Sequence, residues 1–149
     1  ALKNYAENNN PIIGICLGMQ LLFEKSTEFG NNEGLGILKG EVVGFKNNSI
    51  KTHIGWNKVF FNTHNLFYKY LNKETTILVD NKYYYFVHSF YPIPSDKNLV
   101  LSETNFNSEK FCSSIINDNI LAMQFHPEKS SKDGINLISN FLKFKKIND

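Results

Sequence analysis

One short segment near the start of the chain constrains the fold more than any other. Residues 14–20 read Gly-Ile-Cys-Leu-Gly-Met-Gln, and the apolar run before the cysteine, residues 11–15, is typical of a short buried strand. After Cys16, apolar residues at positions 17, 21 and 22 recur at helical spacing, which predicts a helix over residues 17–25. The cysteine is therefore predicted to lie where a strand turns directly into a helix.

The residues around Cys16 match the pattern of a nucleophile elbow, with a glycine two residues before and two residues after the reactive side chain. Small flanking residues permit the tight turn, and a helix N-terminus favours thiolate over thiol. The alternative is an inert core cysteine, the usual state of a lone buried cysteine. This segment alone does not decide between the two.

A second segment, residues 123–130, follows an apolar strand-like run and contains His126, Pro127 and Glu128. The imidazole can act as general base and acid toward Cys16 if the fold brings the two together. Glu128 can accept a hydrogen bond from the other ring nitrogen, which fixes the tautomer and stabilises the imidazolium. The two segments together predict a catalytic triad of Cys16, His126 and Glu128.

Length and composition narrow the class of protein. A chain of 149 residues has room for one domain with a substantial core, and two cysteines do not make a disulfide framework. All 16 basic residues are lysine and the net charge is only +2, which argues against a nucleic-acid partner. No apolar run reaches the length of a membrane span and no signal-peptide pattern opens the chain, so we expect no membrane association and a cytoplasmic location.

Cofactor and metal motifs are not found. The glycines of residues 34–40 have the spacing G-x-G-x-x-x-G without a preceding strand, which does not fit a dinucleotide-binding loop. The four histidines and two cysteines show no C-x-x-C or H-x-x-x-H spacing. We therefore expect neither a cofactor nor a metal, and we expect Cys112 to pack as a small apolar residue.

Five segments carry a resemblance to a known family. They are residues 14–23, 34–37, 53–57, 86–91 and 124–130. In this order they resemble the class I, triad-type glutamine amidotransferases, and within that family the glutaminase subunits of imidazole glycerol phosphate synthase. The cysteine elbow and His-Pro-Glu are shared across the class, whereas the His-Ile-Gly-Trp-Asn and His-Ser-Phe-Tyr segments are specific to these subunits.

The resemblance implies an α/β, flavodoxin-like fold with a mixed, mainly parallel central sheet and helices on both faces. It implies one type 1 glutamine amidotransferase domain over residues 1–149. Family members extend further at the N-terminus, so the chain is expected to lack the first strand and the oxyanion strand. Residues 1–7 are interpreted as the end of a helix that is stopped by the asparagines before Pro11.

The resemblance also assigns roles to individual residues. Those implied to contact the substrate glutamine are Leu17, Gln20, Glu28, His88, Ser89 and Phe90. Those implied to lie at the interface with a partner protein are Trp56, Tyr85 and Lys129. For Glu28 a solvated loop carboxylate is the alternative, and for Trp56 it is a core anchor, the more frequent role of a single tryptophan.

The implied function is hydrolysis of L-glutamine to glutamate and ammonia. The ammonia would pass to a (β/α)₈-barrel cyclase subunit with which the chain forms a heterodimer. In histidine biosynthesis this heterodimer makes imidazole glycerol phosphate and aminoimidazole carboxamide ribonucleotide (AICAR). Two alternatives stay open. The chain is the amidotransferase part of another synthase, such as those that make anthranilate or guanylate, or it is a non-catalytic interaction subunit.

Overall fold

The computed structural model describes residues 1–46, 51–74 and 81–148. Its helices are α1 (Leu2–Glu7), α2 (Leu17–Leu21), α3 (Leu66–Glu74) and α4 (Ser131–Asn148). Its strands are β1 (Ile12–Ile15), β2 (Phe23–Ser26), β3 (Asn32–Glu33), β4 (Leu38–Gly44), β5 (His53–Lys58), β6 (Phe60–Phe61), β7 (Tyr83–His88), β8 (Phe90–Pro94), β9 (Val100–Phe106), β10 (Glu109–Asn117) and β11 (Ile120–Met123). Turns of 3₁₀ helix cover Lys97–Leu99 and Pro127–Lys129. The sequence Asn-Asn-Ser at residues 47–49 predicts a turn, and these residues lie outside the described ranges.

A five-stranded sheet in the order β1-β11-β10-β9-β6 forms the centre of the molecule. β1 and β11 run parallel, with Ile13 opposite Leu121 and Ile15 opposite Met123. The apolar run before Cys16 is thus a strand, as predicted. Because β1 and β11 are neighbours, the segments that follow them leave the sheet at the same edge.

Strand β11 separates two apolar clusters, since successive residues of a strand point to opposite faces. Leu121 and Met123 belong to a cluster that includes buried side chains of α3 and α4. Ile120 and Ala122 belong to a second cluster, which contains Met19 of α2. Helices therefore cover both faces of the sheet, as predicted. Burial of each large apolar side chain here contributes about 1.5–3 kcal/mol.

The strand pairing corrects one part of the predicted fold. Among the described strands only β1–β11 and β2–β4 pair in parallel, and the remaining pairs are antiparallel. The mixed α/β class is confirmed, but antiparallel pairs predominate where a mainly parallel sheet was expected. The reason is local: Asn107 and Ser108 join β9 to β10, Asp118 and Asn119 join β10 to β11, and a two-residue turn can only reverse a strand.

Two smaller sheets complete the molecule, in the orders β3-β2-β4-β8 and β5-β7. Residues 83–91 are strongly β-forming, which predicts an aromatic strand that ends at Pro92. Pro92 instead lies inside β8, opposite Val42. Proline is tolerated there because β8 is an edge strand, and none of the described strands pairs with its outer side.

The helix after Cys16 is shorter than predicted and ends at Leu21. The backbone N–H of Leu35 donates to the carbonyl of Leu21, and the N–H groups of Ile37 and Leu38 donate to the carbonyl of Leu22. These carbonyls are therefore not available to extend the helix, and the chain continues as β2.

Candidate active site

Cys16 occupies a strained turn between β1 and α2. Its backbone has φ 50° and ψ −109°, a conformation that side chains rarely adopt outside functional turns. The N–H of Cys16 donates to the carbonyl of Met123 at 2.8 Å, which ties the turn to the end of β11. A Cβ added at Gly14 would lie 3.1 Å from backbone atoms of Gly18 and Met19, so the strand and the helix approach too closely for a side chain. The strand–turn–helix junction predicted from the sequence is confirmed.

The thiol of Cys16 is partly buried and makes two side-chain contacts. Its sulfur donates toward the carbonyl of Val87 at 3.7 Å and accepts from Nε2 of Gln124 at 3.6 Å. Cys112, the other cysteine, is buried in the second apolar cluster, as predicted. The two cysteines therefore differ in environment, since Cys16 contacts the side-chain amide of Gln124 and Cys112 packs within an apolar cluster.

The structure does not support the expectation that the helix N-terminus favours the thiolate of Cys16. Burial raises the pKa of the Cys16 thiol, and hydrogen bonds from the Leu17 N–H and from Gln124 offset only part of that rise. The negative charges of Glu128 and Glu28 raise this pKa further. Desolvation by burial is the largest influence on this pKa and outweighs the hydrogen bonds that lower it.

His126 is oriented by Glu128. Nδ1 of the ring lies 2.6 Å from Oε1 of the carboxylate, a short charge-assisted contact across the rigid proline between the two residues. The other ring nitrogen, Nε2, is buried and has no hydrogen-bond partner among the described residues. A buried polar atom without a partner is rare and needs an explanation, which transfer of a proton to or from a bound molecule would provide.

The loop that carries His126 is attached to strand β7 at both ends. The N–H of His126 donates to the carbonyl of Tyr85 at 2.8 Å, and the N–H of Tyr85 donates to Oγ of Ser130 at 2.9 Å. Oγ of Ser130 donates in turn to the carbonyl of His126 at 2.6 Å. A single residue of β7 thus fixes the loop of His126 and Glu128.

Cys16 and His126 adjoin the same strand two residues apart, at Val87 and Tyr85. The predicted carboxylate–imidazole pair is present in the structure. No hydrogen bond joins the sulfur to Nε2 of His126, and the sulfur lies 3.7 Å from the Val87 carbonyl oxygen. Transfer of the thiol proton from the sulfur to the imidazole therefore stays a prediction.

Gln20 and Phe90 meet next to Cys16. Nε2 of Gln20 donates to the carbonyl of Phe90 at 2.9 Å and to Oε1 of Gln124 at 3.0 Å. Glu28 is half-buried in the turn between β2 and β3, near enough for its charge to act on the thiol of Cys16. The structure therefore brings Gln20, Phe90 and Glu28 toward the nucleophile.

His88 and Ser89 are placed differently. The ring of His88 is buried, with Nδ1 at 2.8 Å from the Phe90 carbonyl and Nε2 at 3.0 Å from Nδ1 of His53. Burial lowers the pKa of His88 to about 3. Oγ of Ser89 lies 2.8 Å from Oγ1 of Thr52. Both nitrogens of His88 are thus already used within the protein, so its side chain has no free polar atom for glutamine.

The three residues expected at a partner interface form one cluster. Trp56 and Tyr85 face each other across β5 and β7, with ring centroids 6.1 Å apart. Nζ of Lys129 lies 6.0 Å from the centre of the Tyr85 ring. The side chain of Trp56 is 52% exposed, which excludes the alternative of a core anchor.

Gln124 and Ser130 are site residues that the sequence did not single out. Both are buried and both contact triad residues, Gln124 the sulfur of Cys16 and Ser130 the carbonyl of His126. The one feature of the sequence that could have identified them is their position in the segment around His126. Polar residues in a run that otherwise reads as a buried strand must find hydrogen-bond partners.

Other candidate features lie outside this site. A groove of about 860 Å³ is bordered by parts of β6, β8, β9 and β10, and none of the candidate site residues lines it. Within the described ranges no cluster of three or more histidine, cysteine, aspartate or glutamate residues could hold a metal ion. None of the helices in the described part is both long and apolar enough to cross a bilayer.

The glutamine amidotransferase class-I family matches residues 1–144. The elbow, the His126–Glu128 pair and the mixed sheet are consistent with that match. The chain belongs to the class I glutamine amidotransferases.

The relatives narrow the comparison further. The chain is 46% identical over 143 residues to the imidazole glycerol phosphate synthase subunit HisH of Aquifex aeolicus, covering 94% of this chain and 64% of the relative. It is 41% identical to the HisH subunit of Sulfurimonas denitrificans, with 99% and 69% covered. The chain thus spans about two thirds of the length of these curated relatives.

Among solved structures, a putative GMP synthase protein from Thermoplasma acidophilum superposes with a TM-score of 0.61 at 20% identity. The match covers 99% of this chain and 65% of that one. At this identity the likeness supports the fold alone.

Proposed function

We propose that this chain is the glutaminase part of an imidazole glycerol phosphate synthase, which hydrolyses L-glutamine and delivers ammonia to a cyclase subunit. The observation that carries the proposal is the buried Nε2 of His126, which has no hydrogen-bond partner in the described part of the chain. Glu128 holds this ring beside the strand that also contacts Cys16. The similarity to HisH subunits supports the choice of synthase.

In the proposed reaction the thiolate of Cys16 attacks the side-chain amide carbon of glutamine, and a C–S bond forms. The oxyanion of the tetrahedral intermediate accepts a hydrogen bond from the Leu17 N–H, and one such donor contributes roughly 2.7–4 kcal/mol. His126 first takes the thiol proton and then gives it to the leaving nitrogen, so that the C–N bond breaks and ammonia departs.

A γ-glutamyl thioester remains on Cys16. His126 then removes a proton from water, the hydroxide attacks the thioester carbon, and glutamate leaves as the thiolate reforms. Glu128 holds the ring orientation in both halves and stabilises the imidazolium. Because the thiol pKa is raised in the structure, proton removal by His126 is an essential step.

We place the partner on the cluster of Trp56, Tyr85 and Lys129. Ammonia is mostly ammonium at neutral pH, so a neutral nucleophile must travel through a passage closed to water. The exposed Trp56 ring and the Lys129 cation are suited to a partner surface with apolar and acidic groups. The backbone of Tyr85 also fixes the loop of His126, so a partner seated there would adjoin the catalytic loop. With no disulfide framework in the sequence, we assign the cytoplasm as its location.

The test is glutamine hydrolysis by the full chain together with its cyclase subunit. Cys16→Ala should abolish glutamate production, since no other nucleophile replaces the sulfur. Cys112→Ser is the matched control, because that cysteine is buried away from the site, and it should retain activity. Full activity of Cys16→Ala would refute the glutaminase assignment. Loss of co-purification with the cyclase on Trp56→Ala together with Lys129→Glu would support the partner surface, and unchanged co-purification would refute it.

A further inference from the structure

Resting on the proposed glutaminase function, we propose that Gln124 is a further catalytic residue. Its amide nitrogen donates a hydrogen bond to the reacting sulfur of Cys16, and its amide oxygen fixes the orientation of Gln20. One buried side chain would then act on the nucleophile and on a substrate-binding residue together.

The position of Gln124 is fixed by the main chain around it. It follows Met123 of β11, whose carbonyl accepts from the Cys16 N–H, and its own N–H donates to the carbonyl of Ser113 at 2.8 Å. The side chain has no exposed surface. Burial of an amide is costly unless its polar atoms are hydrogen-bonded, so a buried glutamine here indicates a specific use of both amide ends.

The direction of each hydrogen bond follows from one carbonyl. The Phe90 carbonyl can only accept, so the Gln20 atom 2.9 Å from it must be the nitrogen, Nε2. The second proton of that nitrogen faces Gln124 at 3.0 Å, so the facing atom must be an acceptor, Oε1. The remaining end of the Gln124 amide, 3.6 Å from the Cys16 sulfur, is therefore the donor Nε2.

The neutral N–H donor of Gln124 stabilises the thiolate form of Cys16 in each step in which a thiolate is present. Burial raises the pKa of the Cys16 thiol, and the hydrogen bond from Gln124 acts in the opposite direction. Thiolate exists before attack on the amide and again as the leaving group when the thioester is hydrolysed. The thioester sulfur is a weaker acceptor than thiolate, so the donor favours both the attacking and the departing forms.

The same amide also determines what Gln20 offers to a ligand. Both protons of Gln20 Nε2 are used, on the Phe90 carbonyl and on Gln124. Within the described residues no donor contacts Oε1 of Gln20. That oxygen is therefore the atom available to a substrate, and it can bind an N–H of the ammonium or amide group of glutamine but not its carboxylate.

The experiment measures the pH dependence of Cys16 alkylation by iodoacetamide in the full chain with its cyclase subunit, read by mass spectrometry of the peptide that contains Cys16. Gln124→Met keeps a similar volume and removes the donor, and we expect the midpoint to rise by roughly 1 pH unit. Gln124→Glu keeps an acceptor for Gln20 but places a carboxylate oxygen at the sulfur, so its midpoint should rise further. Circular dichroism verifies that each variant is folded.

Gln20→Met provides a third variant that does not disturb the core, since Gln20 is only partly buried. Without its Gln20 contact the Gln124 amide is less constrained, and the midpoint should rise by less than in Gln124→Met. The proposal would be overturned if the folded Gln124 variants alkylate Cys16 with the same midpoint pH as the wild type. If both Gln124 variants fail to fold, a wild-type midpoint pH in Gln20→Met would overturn it instead. If Cys16→Ala still abolishes glutamine hydrolysis in that case, the proposed function survives and only the role of Gln124 fails.

Discussion

Two regions of the molecule use histidine in opposite ways. In the first, His53 and His88 form a buried pair, and their rings pack among Phe86, Phe106 and Phe111. The Phe90 carbonyl accepts from Nδ1 of His88, which leaves Nε2 of His88 as the acceptor for Nδ1 of His53. Every ring proton of this pair is therefore assigned, and none of the carboxylates in the described ranges is paired with either ring.

In the second region, one nitrogen of His126 faces the Glu128 carboxylate and the other has no partner among the described residues. The two regions lie at successive parts of the same strand, because His88 ends β7 and His126 is bound to Tyr85 of β7. The difference teaches how to separate a structural histidine from a chemical one. A neutral ring with both nitrogens used holds the fold, whereas a ring with one carboxylate contact and one unused nitrogen can move a proton.

The largest effect on activity should follow loss of the Nε2 nitrogen of His126. His126→Gln should lower glutamine hydrolysis by about 10³-fold, because neither the thiol nor the leaving nitrogen can then exchange its proton. Thermal unfolding should change little, since Nε2 makes no hydrogen bond within the described part of the fold. If His126→Gln loses stability but keeps its turnover, His126 is a structural histidine and the contrast with the buried pair is wrong.

Removal of the orienting charge should have the next largest effect. Glu128→Gln keeps an oxygen near Nδ1 but no longer stabilises the imidazolium, so turnover should fall, although by less than in His126→Gln because the imidazole is still present. The exposed side chain of Glu128 predicts an unchanged melting temperature. Equal turnover in wild type and Glu128→Gln, from the rate at saturating glutamine, would show that the short contact is only structural.

In the buried pair, substitution should affect stability instead. His88→Leu leaves Nδ1 of His53 without a partner inside the core, which should cost about 2 kcal/mol and lower the melting temperature by roughly 5 °C. His64→Leu is the control, because that histidine lies on the surface and should cost nothing measurable. The same melting temperature for both variants would mean that the pair is not needed for the fold.

The smallest effect should be the loss of folding stability that the buried pair of His53 and His88 causes as the pH is lowered. Burial lowers the pKa of His53 to about 4 and of His88 to about 3, from 6.5 in the unfolded chain. Below pH 6.5 the unfolded chain therefore binds protons that the folded protein does not, and stability falls as pH decreases toward 4. Between pH 6.5 and 5.5 we expect a loss of about 1 kcal/mol per histidine, measured by urea unfolding. A constant unfolding free energy over this interval would contradict the assignment of neutral rings.

The sequence predicted those parts of the fold that depend on local pattern. The apolar run before Cys16 is β1. Apolar side chains on one side of residues 132–146 predict a helix, which is α4. Residues 117–119 read Asn-Asp-Asn and predict a hairpin turn, and the chain turns there from β10 to β11. The short link between His126 and Glu128 also made their contact predictable, since a single proline separates them.

The remainder depends on contacts between distant segments. His88 was expected to line the glutamine pocket, but strand alternation places it on the buried face with Tyr84 and Phe86. That alternation was visible in the sequence, although which face is buried depends on the sheet. The contact between Gln124 and Cys16 joins residues 108 positions apart, and no local pattern predicts it.

The most direct test of the account is labelling of the full chain, in complex with its cyclase subunit, by the glutamine analogue 6-diazo-5-oxo-norleucine. If Cys16 and His126 form one site, peptide mapping should find a single label on Cys16, none on Cys112, and much slower labelling in His126→Gln. Absence of label at Cys16, or equal labelling rates in wild type and His126→Gln, would contradict it.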